Sequence, residues 1–159
     1  MPALPASLRD WMRIKMDESC KKPTWLTIME NGSIGEARTK ALLLDRFWVL
    51  ERSVDIEGAD FIVQRRAIGH KLNSSRALFG LVQAKFLQDA NTKVYISPDY
   101  LLDERNQARD SFFLIAHTGI EDGQSLYFLT AQQVIADFKP VAAGLKHAHK
   151  YKLEGAALL

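Results

Sequence analysis

The order of apolar and turn-forming segments predicts an α/β fold, a mixed β-sheet flanked by helices. Residues 33–48 carry apolar side chains at helical spacing (Ile34, Ala37, Ala41, Leu42, Leu44, Phe47, Trp48). Three strand-like runs then follow with no helix between them, which makes a meander. Two further runs come after a helix start at Ser97-Pro98-Asp99. A strand that returns through a helix can pair parallel with an earlier one, so the sheet is mixed.

In chain order, residues 7–15 read as a short amphipathic helix with Ser7 near its N-cap (Leu8, Trp11, Met12, Ile14). Lys21-Lys22-Pro23 breaks it. Asn31-Gly32-Ser33 reads as a turn, so the main domain is expected to start there, after a helical appendage over 1–30. Ser33 and Glu36 have the spacing of a capping box for the helix that follows. Residues 49–53 and 59–64 read as strands around a polar turn, and the nearly apolar stretch 77–87 reads as a third strand beyond a basic loop at 65–76. Ser97 is an N-cap with Pro98 at the first helical position. Residues 111–117 and 124–129 are two more strands, and Thr130 with Gln133 forms a capping box for a helix through Phe138. The main domain spans 31–140. A basic tail over 141–159 holds His147-Ala148-His149-Lys150-Tyr151-Lys152, which reads as a last short strand.

The chain has 159 residues, enough for one domain with a substantial core. At 47% hydrophobic and 25% charged, its composition excludes disorder, a collagen repeat and a disulfide scaffold. Cys20 is the one cysteine, which points to a reducing cytoplasm. No apolar run approaches the ~20 residues of a membrane helix, and the N-terminus is not expected to be a signal peptide. The net charge of +2 sums two unlike regions. Residues 51–60 hold Glu51, Asp55, Glu57 and Asp60 against Arg52, whereas residues 65–93 hold Arg65, Arg66, Lys71, Arg76, Lys85 and Lys93 against Asp89.

Three polar residues sit where loops and surfaces do not require them. Asp60 starts an apolar strand, and Gln83 and Lys85 interrupt another, two positions apart. Residues i and i+2 of a strand share a face, so Gln83 and Lys85 project together. If the two strands are hairpin neighbours, Asp60 lies beside them. A carboxylate and an amide oxygen suit Mg²⁺, and a lysine adds positive charge for a phosphate or an attacking hydroxide. Glu36 can supply a further carboxylate. Taken singly, Asp60 reads equally as a residue after a glycine turn, and Lys85 as a strand lysine that snorkels.

The segment Glu57-Gly58-Ala59-Asp60, followed by Gln83-Ala84-Lys85, resembles the PD-(D/E)xK nuclease superfamily, the restriction-endonuclease-like fold. The likeness is to the subset whose second motif is Gln-x-Lys, as in Mrr-type restriction enzymes, and it covers roughly residues 33–138. It implies an αβββαβ core and a Mg²⁺- or Mn²⁺-dependent endonuclease acting on DNA, with a role in restriction or phage defence. It also implies that Asp60, Gln83 and Glu36 hold the metal, joined by the Ala84 carbonyl, and that Lys85 assists the attacking water. Ala59 stands where the family has proline, and Gln83 where it has an acid. The second departure removes a negative charge. It leaves a rival reading, a catalytically degenerate module that binds nucleic acid or a protein partner.

Arg65, Arg66, Lys71 and Arg76 follow the first motif without an acidic neighbour, as a phosphate-backbone contact or as a solvated loop tip. Lys139, Lys146, Lys150 and Lys152 have the same two readings. His147-x-His149 would share a strand face, but zinc needs three or four such ligands, and only Cys20 and His70 remain to complete a set. His117 reads as a hydrogen-bonded histidine at the edge of the core. Arg105, Gln107 and Arg109 are expected on the helix after the second motif. Trp11, Trp25, Met12, Met16 and Met29 read as core or interface. Cutting both strands of a duplex needs two centres, so a homodimer is the expected assembly.

Overall fold

The computed structural model describes residues 23–51, 58–66, 78–119 and 124–158. The expected helix over 7–15, Cys20, Glu57, His70, Lys71 and Arg76 lie outside them. Helix α1 (Thr24–Leu44) leads into β1 (Phe47–Glu51), β2 (Phe61–Arg65), β3 (Phe79–Leu87) and β4 (Lys93–Ile96). A single helical turn α2 (Pro98–Leu101), β5 (Phe112–Thr118), β6 (Ser125–Thr130), α3 (Ala131–Asp137) and β7 (Tyr151–Glu154) complete the order. The main sheet runs β1-β2-β3-β5-β6, antiparallel except for the parallel pair β3·β5, so it is mixed as expected.

Strand alternation sorts the core into two layers. Val82 and Ala84 of β3 pack with Phe61, Val63, Ile115 and Leu43 under α1. Leu81 faces the other way, with Phe112 and Leu114, into a layer closed by Leu101, Ala131, Val134, Ile96 and Leu153. Gln83 and Lys85 pair with Leu114 and Ala116 and share that second face. Helix α1 touches the sheet through one stripe at i, i+4, i+8: Gly35, Thr39 and Leu43. A Cβ on Gly35 would stand 3.2 Å from the Lys85 carbonyl carbon, so the helix crosses β3 there at close range.

The differences from expectation have local causes. The turn expected at Asn31-Gly32-Ser33 is absent, because α1 runs unbroken from Thr24 to Leu44 and the boundary at residue 30 falls inside it. Gly32 weakens a helix by only about 1 kcal/mol, which the cooperative turns on either side and the docked stripe outweigh. The Ser33–Glu36 capping box therefore does not start this helix. Phe47 and Trp48 belong to β1, after a turn at Asp45 and Arg46. The helix expected to carry Arg105, Gln107 and Arg109 is one turn long. Asp103 Oδ1 accepts from the N–H groups of Arg105 and Gln107, and this local bonding competes with helix growth. The tail is no free terminus: β7 pairs with β4, and Leu153 is fully buried. His147 and His149 lie in left-handed turns (φ 66° and 67°), not on a strand, and His147 stacks on Tyr95. The Thr130–Gln133 capping box is present on α3. Among the described residues, no helix is long and apolar enough to cross a membrane.

Thr39 Oγ1 and His117 Nε2 share a buried 2.9 Å hydrogen bond that ties α1 to β5, the core-edge role expected for His117. Burial, and then the nearby Arg38 charge, lower the His117 pKa. The unfolded chain therefore binds this proton more readily, and its contribution to stability falls as pH drops below about 6.5. The melting temperature should fall between pH 7 and 5.5, and fall less in His117→Gln, measured by circular dichroism. Leu153→Ala should cost about 2–5 kcal/mol in urea unfolding, the loss of a core residue and not of a tail.

Candidate active site

Strands β2 and β3 pair from Phe61–Val82 to Gln64–Phe79, and beyond Ala84 the ladder of β3 continues only with β5. Asp60 sits at the parting. Its N–H donates to Val82 O at 2.9 Å, and its Oδ2 accepts the Ala84 N–H at 2.6 Å. The carboxylate thus stands against the residue between Gln83 and Lys85, where the next residue of β2 would otherwise bond. A hydrogen bond to an ionised acceptor is stronger than a neutral one, so this contact fixes the carboxylate's orientation.

Two features outside the motif hold Asp60 there. Gly58 has φ +89°, a conformation that side-chain-bearing residues rarely adopt. A Cβ on it would also fall 2.1 Å from Tyr100 Cε2 on α2. The turn into β2 is therefore clamped by an aromatic ring from the following crossover. Gly58, directly before Ala59-Asp60, was legible as a signal; Tyr100, forty residues away, was not.

Gln83 is buried, and its Oε1 finds no hydrogen-bond partner among the described residues. A buried acceptor without a donor costs about 1–3 kcal/mol, and such a group ordinarily serves a water, an ion or a ligand. Lys85 is half-buried on the same face. Asp60, Gln83 and Lys85 are thus gathered around one backbone segment. Glu36 is exposed on α1 next to Gly35, which brings it to the level of Lys85, but α1 covers the opposite face of the sheet. Arg65 is exposed. Arg66 donates to Leu44 O at 2.8 Å and lies 4.8 Å above the Trp48 ring, so its guanidinium closes the end of α1.

A carboxylate and an orphaned amide oxygen fit a hard divalent cation in kind, since Mg²⁺ takes oxygen ligands and keeps several waters. Among the described residues, no three His, Cys, Asp or Glu side chains converge, so a cation here would depend on the Gln83 oxygen. A scan against protein-family models and searches of curated proteins and of solved structures returned no match.

Gly58→Ala should destabilise the fold by about 2 kcal/mol or more, from backbone strain plus the Tyr100 contact. Tyr100→Ala in that background should recover the steric part, measured as a double-mutant cycle in urea. Gln83→Leu, in the presence of a chelator, should raise stability by about 1 kcal/mol, roughly 2–4 °C in melting temperature, because it removes an unpartnered oxygen.

Proposed function

We propose that the protein is a Mg²⁺- or Mn²⁺-dependent endonuclease that hydrolyses DNA phosphodiester bonds, on a restriction-endonuclease-like core. The observation that carries this reading is the Asp60 carboxylate held on the Ala84 N–H, between a buried unpartnered Gln83 oxygen and Lys85. Asp60 and Gln83 would hold the cation. Glu36, exposed on α1 over the opposite face, is left outside this set. When bound, the cation would lower the pKa of a coordinated water and offset charge developing on phosphorus. Asp60 keeps its orientation through the amide it accepts from. Lys85 donates to the attacking water or to a phosphate oxygen and keeps a positive charge beside the reacting group. Two such centres, in a homodimer, would cut both strands of foreign DNA.

Gln83 also favours a second reading. An amide in place of a carboxylate weakens attraction for a dication, as expected of a nuclease fold that binds nucleic acid or a protein partner without cutting.

With supercoiled plasmid and millimolar Mg²⁺, the protein should nick and linearise DNA, and Lys85→Ala should lower the rate about 10²-fold or more. Equal cleavage by the two proteins would remove Lys85 from the mechanism. Calorimetry should show Mg²⁺ binding that Asp60→Asn abolishes and Gln83→Glu tightens. DNA binding without any metal binding would favour the second reading.

A further inference from the structure

We propose that Thr118 is a positioning residue of the candidate site: its hydroxyl and the Lys85 ammonium hold one buried water between them, and that water fixes the ammonium. The bridge needs only the fold. Its consequence for catalysis rests on reading Lys85 as the group beside the reacting phosphate.

Alternation on β5 sends Phe112, Leu114, Ala116 and Thr118 to one face, that of Leu81, Gln83, Lys85 and Leu87 on β3. The parallel register sets Gln83 beside Leu114, Lys85 beside Ala116 and Leu87 beside Thr118. Along that face, Lys85 therefore stands between two buried polar atoms that find no hydrogen-bond partner among the described residues, Gln83 Oε1 and Thr118 Oγ1. Thr118 is fully buried. Its cross-strand neighbours are Leu87 and Ser125, and neither bonds its hydroxyl. A valine would fill the same space with no polar atom to satisfy, so a hydroxyl here calls for an occupant.

Reach and chemistry select that occupant. One strand spacing across and two residues along put the Lys85 and Thr118 Cα atoms roughly 8 Å apart. The extended lysine arm covers much of that diagonal, and Ala116, which lies beside it, contributes only a methyl group. A buried water is held by ~2–4 polar partners, and these two are an ammonium that donates and a hydroxyl that donates or accepts. An anion would instead have to shed its hydration to reach a hydroxyl with no exposed surface. On the β2 side of β3, the Asp60 carboxylate accepts the Ala84 N–H. Lys85 thus lies between a carboxylate toward one neighbouring strand and a hydroxyl toward the other, and the bridge restrains an otherwise flexible arm.

The test is a double-mutant cycle read by urea unfolding with a chelator present. It joins Thr118→Val, which keeps the shape and removes the hydroxyl, with Lys85→Met, which keeps the arm and removes the charge. Thr118→Val should destabilise the wild-type background and stabilise the Lys85→Met background. The two effects on the unfolding equilibrium constant should then depart from simple multiplication by roughly 3-fold or more. Thr118→Ser, which keeps the hydroxyl, should change stability equally in the two backgrounds. Equal effects of Thr118→Val in both backgrounds, of either sign, would overturn the proposal, because the hydroxyl would then serve nothing that Lys85 touches. In plasmid cleavage, Thr118→Val should lower kcat roughly 10-fold or more with KM near wild type, and Thr118→Ser should stay within a few-fold of wild type. An unchanged kcat in Thr118→Val would overturn the positioning role. Coupling in the cycle with no cleavage by wild type overturns the nuclease alone. Cleavage that needs Lys85, with stability effects that simply multiply, overturns the bridge alone.

Discussion

The amide of Ala84 is where the sheet changes character. On one side of it β3 is paired by both neighbours; on the other, β2 has gone and β5 alone continues the ladder. An extended strand cannot leave such an edge in a protein interior without satisfying its polar groups. Asp60 answers that requirement with a side-chain oxygen. The constraint that lets β2 depart thereby puts a carboxylate within one residue of Gln83 and Lys85. Fold closure and site assembly are one hydrogen bond seen from two sides.

The surroundings of that bond show how firmly the position is held. Gly58 and Tyr100 clamp the turn before Asp60. Helix α1 presses Gly35 onto the backbone of Lys85 and Phe86, and Arg38 stacks on Phe86 while donating to Gly119 O. At the far end of β3, Asp89 Oδ1 accepts from the N–H groups of Asn91 and Thr92, and Gly155 fits tightly against the Asp89 carbonyl. The central strand is therefore pinned at its edge, on its helix-covered face and at its end. Beside it, Trp48 and Phe79 are exposed on the other face of the sheet, with Arg66 over the Trp48 ring.

Local chemistry made several features readable in advance. The antiparallel neighbours β2 and β3, the Gln-x-Lys pair on one face, the Thr130–Gln133 capping box and the hydrogen-bonded His117 all follow from short-range pattern, and the structure has them. The readings that failed are those where a local signal competed with a distant contact. Asn31-Gly32-Ser33 has turn chemistry, but α1 continues because its later turns dock on the sheet. The stretch around Val94 and Tyr95 is too short to stand out as a strand, and it becomes one because the chain returns sixty residues later as β7. The helix expected through Arg109 was cut short by Asp103, whose carboxylate bonds backbone groups that a helix would have used.

What the sequence determined by itself is the alternation: which residues of each strand face together, and hence that Gln83 and Lys85 are partners. Alternation is a property of one strand, set by backbone geometry, and needs no neighbour. Which neighbour lies beside that strand, where it departs and what covers each face were decided by tertiary packing alone. Those choices depend on contacts between residues far apart in the chain, such as Gly58 with Tyr100, Thr39 with His117 and Leu153 with the layer over β5. Each becomes favourable only when the others form, so no short window of sequence contains them.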